Sequence, residues 1–396
     1  MPLRFCPFRS NFIPTFELNL TINENYFNRL VLFSRGSKKN CFVSPLSIYC
    51  GLSLAFSGSS GRSNHEIAQV LQVSKQQLKD HDSTLAHLGS HLDAVSDGDT
   101  GKTLVLANGL FLESTIEVKR LFKKALEKYF HTDSHMVDFA SNAEKARKQI
   151  NAWVSDHTCK KISDLMSRES IDSQTRLVLA NAIYFKGTWK NVFHRDATTD
   201  WPFQTLHDGK VQVPMMSENG VYEMSRFDEL SATALKIPFK FHEMLIVLPD
   251  AKDGLMELLE KIFDPNHILR FKELFDKSKY EPSRVELHLP KFKLGGVESL
   301  NMERPLSAMG LETVFNHNQA DFSRITEKEK LHISSVVHQA VIEVNEEGAE
   351  AAAATGMAIA PMCLCPDFTV DHPFLFFIVT ETGVPAFIGH VVNPLA

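Results

Sequence analysis

The chain has 396 residues, 43% hydrophobic and 23% charged, with a formal net charge of −6. That balance belongs to globular proteins and argues against nucleic-acid binding, which calls for a basic excess. Six cysteines are too sparse for a disulfide scaffold, and no apolar run approaches the ~18 residues needed to span a bilayer, so no membrane partner is expected.

No Pro/Gly/Ser-rich linker divides the chain, which points to one large mixed domain. Residues 1–20 carry charge but lack the continuous apolar core and cleavage site of a leader. Asn19-Leu20-Thr21 fits a glycosylation acceptor. The first half reads as mainly helical. Pro45–Phe56 is apolar at mixed spacing, and Ser63 with Glu66 forms a capping box for a helix to about Leu71. Helices follow near 76–93, 118–130 and 142–157. The helix near 118–130 carries Lys119, Arg120, Lys123, Lys124 and Lys128 opposite Val118, Leu121, Phe122, Ala125, Leu126 and Tyr129. This reads as the solvated face of an amphipathic helix, with weak support for a glycosaminoglycan site. "LVLANAIYFKGTW" (177–189) runs apolar without alternation, as a strand buried on both faces does. Short strands fill 199–249, helices lie near 252–276, and 284–294 is a strand. A long strand then ends near Val344, and two apolar strands close the chain around a turn with Gly383 and Pro385. Helices first and strands later, with little βαβ rhythm, give α+β with mainly antiparallel sheets.

His81, His87 and His91 have a spacing that a metal could use, but a solvated helix face explains them more simply. Nucleophile-elbow, zinc-protease, P-loop and dinucleotide motifs are missing, so an enzyme, a cofactor and a metal are not expected.

Between the last strands lies "VNEEGAEAAAATGMAIAPMCLCPDF" (344–368). Four alanines favour a helix. Sorted as an extended chain, odd positions Ala349, Ala351, Ala353, Thr355, Met357 and Ile359 are small or apolar. The even set holds the only charge, Glu350, with Gly348, Ala352, Ala354 and Gly356. One face can then enter a core while the other faces solvent, with nothing bulky to obstruct passage between strands.

"VIEVNEEGAEAAAATG" resembles the proximal hinge of the inhibitory serpins, serine-protease inhibitors of the antitrypsin type. "FVSPLSI" (42–48), "LVLANAIYFKGTW" (177–189), "LHLPKF" (287–292), "ADFSRI" (320–325), "ISSVVHQAVIEV" (333–344) and "DHPFLFFI" (371–378) resemble serpin segments in the family's order. The resemblance implies a single domain over 25–396 after an extension at 1–24, with three sheets, eight or nine helices and a reactive-centre loop at about 346–368. It implies a monomeric suicide substrate: a protease cleaves the loop, which then inserts into the central sheet and traps the acyl-enzyme. Counting from Glu346 and Gly348, and back from Pro373 and Phe374, places the scissile bond at Met362–Cys363. Met362 suits elastase-like or chymotrypsin-like proteases, since 351–368 holds no Lys or Arg. Glu346, Glu347, Gly348, Ala349, Glu350, Ala351, Ala352, Ala353 and Ala354 match the hinge. Trp189 and Lys291 match the breach, where insertion begins; Ser44, Ser47, Asn181 and His338 match the shutter beneath the sheet. Ser335 and Gln339 stand where relatives often carry lysines, and Ala349 replaces a common Thr or Ser. Cys363 and Cys365 are unusual and read as oxidisable thiols rather than metal ligands. A non-inhibitory serpin acting as carrier, chaperone or storage protein is the alternative, although such relatives have bulky, charged or proline residues in the hinge. The family implies an extracellular protein, while the missing leader pattern leaves a cytoplasmic or leaderless route open.

Overall fold

The structure, a computed structural model, describes residues 39–96, 104–263, 268–296, 299–347 and 366–396. Two hydrogen-bonded sheets organise them. The nine-stranded sheet runs in the order β1 (Cys41–Val43), β15 (Pro385–Val391), β14 (Phe374–Thr380), β8 (His242–Pro249), β7 (Ala232–Pro238), β6 (Lys210–Phe227), β9 (Glu281–Pro290), β13 (Asp367–Thr369), with β5 (Thr199–Gln204) also on β6. At 18 residues β6 is long enough to serve β7 at one end and β5 at the other. The third sheet implied by the resemblance is therefore continuous with the second.

The central sheet runs β10 (Phe292–Leu294), β12 (Ser335–Val344), β4 (Leu177–Phe185), β2 (Leu104–Glu113), β3 (Ser134–Val137), with β11 (Leu300–Asn301) beside β12. Its middle join is unusual: β12 and β4 lie parallel over eight registered pairs, from Ser335↔Val178 to Ile342↔Phe185. Both strands are buried nearly throughout, which explains their apolar runs.

Helix α1 (Pro45–Gly58) packs against the inner face of the central sheet and is buried at all fourteen positions, so it carries no charge, and the hydroxyls of Ser47, Ser53 and Ser57 are hydrogen-bonded. Its approach is close: a Cβ on Gly51 would sit 2.2 Å from Asn181 Nδ2. Helices α2 (Gly61–Val70), α3 (His81–Ser96) and α4 (Arg120–Phe130) flank it, and α5 (Phe139–His157) lies across the sheet's outer face. Three shorter helices, α6 (Leu255–Ile262), α7 (Ile268–Glu273) and α8 (Glu303–Ala308), complete the eight among the described residues.

Several expectations are corrected. Helix α2 begins at Gly61, so Ser63 is already inside it and bonds Thr313 Oγ1 at 3.0 Å. Glu66 caps the turn at 313–315 instead, accepting from the amides of Glu312 and Thr313 at 3.0 and 2.7 Å. In α4 the buried stripe is Phe122, Leu126 and Phe130, while Leu121 is 79% exposed. Strands β2 and β3 interrupt the half read as helical. The run 284–294 is two strands in two sheets, because the chain crosses over at Lys291.

Candidate functional site

The top of β12 is a knot of polar contacts. Lys291, held at the crossover by its amide bond to Pro214 O (2.9 Å), places Nζ 2.8 Å from Glu346 Oε2. Thr198 Oγ1 donates to Glu346 Oε1 at 3.0 Å, and the Phe193 amide donates to Glu346 O at 3.1 Å. Burial alone would push the Glu346 carboxyl up; the bonds from Lys291 and Thr198 outweigh it and hold the group below its ordinary range. Trp189, 1% exposed, stacks on Phe239 at 4.0 Å and donates its indole N–H to Asn345 O at 2.8 Å. Glu347 pairs with Arg195. Thus Trp189, Lys291, Glu346 and Glu347 do meet, and they fix the chain where it leaves β12. The sequence reading missed Thr198, Phe193 and Arg195, which come from an irregular segment with no motif of its own.

Below the join of β4 and β12 lies a second, largely buried polar group. His338 and Asn181 are register partners across it. The Ser44 amide donates to His338 Nε2 at 3.0 Å, and Ser44 Oγ donates to Ala386 O at 2.7 Å while capping α1 at the Ser47 amide (3.1 Å). Ser47 Oγ and Asn181 Nδ2 both donate to Asn108 Oδ1, at 3.0 and 2.9 Å. Burial pushes the His338 imidazole down to about 3, so it stays neutral. Asn108 was missed, yet a signal existed: "LVLAN" occurs at 104–108 and again at 177–181. The two copies lie on antiparallel strands and meet end to end, with Asn108 opposite Asn181.

The outer face of the same join is covered. Val337 and Val341 of β12 and Val178, Ala180, Ala182 and Tyr184 of β4 form one apolar layer with Ile150 and Val154 of α5. Buried Glu113 pins the start of this helix, accepting from the Phe139 and Ala140 amides at 2.8 and 2.9 Å. Only at Glu343 does the outer side of β12 open to solvent.

Gly348, Ala349, Glu350, Ala351, Ala352, Ala353, Ala354, Met362, Cys363 and Cys365 lie outside the described residues, as do the extension 1–24 and Asn19. Among the described residues, no group of three or more His, Cys, Asp or Glu could hold a metal, and no helix is long and apolar enough to cross a membrane.

Comparison with known proteins gives the same family from three directions. The family model Serpin (serine protease inhibitor) matches residues 24–394. The chain is 36% identical to Iris of Ixodes ricinus, covering 96% of this chain and 98% of that one. It is also 36% identical to leukocyte elastase inhibitor of Xenopus laevis, over 92% of each. Among solved structures, Serpin48 of Tenebrio molitor superposes with a TM-score of 0.80 at 30% identity, over 95% of this chain and 97% of that one. The crystal structure of uncleaved ovalbumin gives 0.81 at 26% identity, over 95% and 100%. With nearly its whole length matched and its fold shared with solved structures, this chain belongs to the serpin family of serine protease inhibitors.

Proposed function

We propose that the protein inhibits elastase-like or chymotrypsin-like serine proteases as a suicide substrate, cleaved at Met362–Cys363. The observation that carries this reading is the parallel join of β4 and β12. A strand entering antiparallel to both would replace one parallel pairing with two antiparallel ones, which are slightly more stable per residue. The chain that follows the head of β12 carries small or apolar residues at its odd positions from Ala349 to Ile359, with nothing bulky and charged to obstruct entry.

Inserting the ~14 residues from Gly348 to Met362 at about 3.3 Å each would carry the cleaved end ~46 Å. A chain of this length has a radius of gyration near ~21 Å, hence a diameter of roughly 55 Å. An acylated protease would be dragged most of the way across the molecule, enough to distort the oxyanion hole on which deacylation depends. Met362 fits an apolar primary pocket, and the name of one relative, leukocyte elastase inhibitor, agrees with it. Trp189, Lys291 and Glu346 would act as the entry point, and Ser44, Ser47, Asn181 and His338 as the polar bed over which the strands part.

Incubation with elastase and chymotrypsin should give an SDS-stable complex, and the released peptide should begin at Cys363 by mass spectrometry. Cleavage of the loop by every such protease with no complex would refute the inhibitor reading and leave a non-inhibitory serpin.

A further inference from the structure

We propose that His317 and His332 form a two-imidazole site for zinc(II), which would clamp the turn beyond 315 to the foot of β12.

The two residues come from separate stretches, each fixed by its own backbone. The Asn316 carbonyl accepts from the Gln319 and Ala320 amides at 3.1 and 2.9 Å, and its side chain accepts from the Asn318 amide at 2.9 Å, so His317 rides on a closed turn. Opposite it, the Ile333 amide donates to Val314 O and the Ser334 amide to Leu177 O, both at 2.8 Å. These bonds hold His332 between that turn and the start of β4. The two rings lie 5.3 Å apart, centre to centre, with their planes at 87°.

His332 Nδ1 is buried and bonded to no protein group. A buried ring nitrogen left so calls for a water or an ion. Burial lowers the His332 pKa, and nearby His317 and Arg176 lower it further, so at neutral pH the ring is uncharged and has a lone pair to give. Arg176 would repel a second cation, but its guanidinium is turned to the carbonyls of Ser173 and Thr175, at 2.9 Å each.

The spacing chooses among metals. A metal–nitrogen bond of about 2.0–2.1 Å puts each ring centre about 3.2 Å from the ion. Two rings at the tetrahedral angle are then about 5.2 Å apart, and two at a right angle about 4.5 Å. The observed 5.3 Å fits tetrahedral zinc better than square-planar copper(II). His317 is exposed, so its ring can turn to aim a nitrogen at the point that His332 Nδ1 faces, with water completing the coordination. Among the described residues no third His, Cys, Asp or Glu joins the pair, so the affinity is that of two ligands.

The test titrates zinc chloride into the full-length protein by calorimetry, beside His317→Ala, His332→Gln and a control, His207→Ala, which alters an exposed histidine between β5 and β6. Zinc should bind one per chain. Either site variant should weaken that binding by at least about tenfold, and the control should leave it unchanged. Zinc should also slow hydrogen exchange at the Ile333 and Ser334 amides in the parent and the control, and not in the site variants. A metal-free melting curve checks that each variant folds; should His332→Gln fail to, the exposed His317→Ala decides alone. Zinc bound equally by the parent and the site variants overturns the proposal, as does an equal loss in the control. No zinc binding by the parent at millimolar concentration overturns it too, and leaves His332 Nδ1 to a water. Binding with no slowing of exchange overturns the clamp.

Discussion

Glu346 closes the head of the central sheet with one carboxylate, and its held-down pKa has a pH signature. A depressed carboxyl contributes stability that is present above its ordinary pKa and lost as pH falls through the lower folded value. At neutral pH, Lys291→Ala would leave the 7%-exposed Glu346 with Thr198 as its remaining side-chain donor, at a cost of about 1–3 kcal/mol. Thermal melting should show that loss at pH 7 and very little of it near pH 3; an equal effect at both would mean the ion pair is not its source. His338 also loses its contribution on acidification, but from a higher pH. Its folded pKa of about 3 lies below the ordinary 6.5, so its contribution is full above 6.5 and erodes as pH drops below it. Between pH 6.5 and 5 this amounts to ~2 kcal/mol. His338→Gln, which keeps an acceptor for the Ser44 amide, should flatten that part of the stability curve, leaving the slope from His390, also pushed down by burial, to about 4. An unaltered slope would reassign the acid sensitivity.

At the scale of elements, α5 matters most and was the least informative in sequence. A helix near 142–157 could be read from periodicity, but nothing in its own residues says that it lies across the join of β4 and β12. The parity reading of 349–359 gave one face to a core and the other to solvent. The structure restricts the second part, because the outer side of β12 from Ser335 to Val341 is buried and only Glu343 is open. An inserted strand would therefore meet α5 along most of its even-numbered face, and solvent only near its start. Hence Ala353→Arg should turn the protein from inhibitor to substrate, since an unpaired charge would have to be buried during insertion. Glu350→Arg, close to the head of β12, should remain largely inhibitory. Moles of inhibitor consumed per mole of protease decide this, and equal losses from both would refute the parity assignment. Strand β2 escaped sequence reading because a largely buried strand does not alternate and a short apolar run cannot be told from helix by period alone; β3, Ser134–Val137, is only four residues long and mixed in polarity. The crossover at Lys291 was hidden for a related reason: "LPKF" keeps its apolar character while changing sheets.

For the molecule as a whole, the proposed mechanism requires a native state that is kinetically trapped rather than most stable. Loop cleavage should then raise the melting midpoint by tens of degrees; intact and cut protein that melted together would exclude strand insertion. Much of this architecture was legible because six segments, spread from 42 to 378, carry chemistry that a packed sheet and its polar bed demand. What stayed hidden were the partners without a motif: Thr198 and Arg195 at the head of β12, Glu113 at the start of α5, and Asn108.

The repeated Leu-Val-Leu-Ala-Asn carries a mechanical consequence. Because the two copies run antiparallel and meet at Asn108 and Asn181, a slip of one residue would turn every apolar side chain to the wrong face and break the amide bridge. Strands β2 and β4 therefore behave as the fixed jaw of a vice, clamped over nine registered pairs. In the proposed mechanism strand β12 would be the moving jaw, gripped on its far side by the three pairs of β10 and the two of β11. Any force that widens the sheet is thereby concentrated on a single line, and the gap it opens has a width and a direction set in advance.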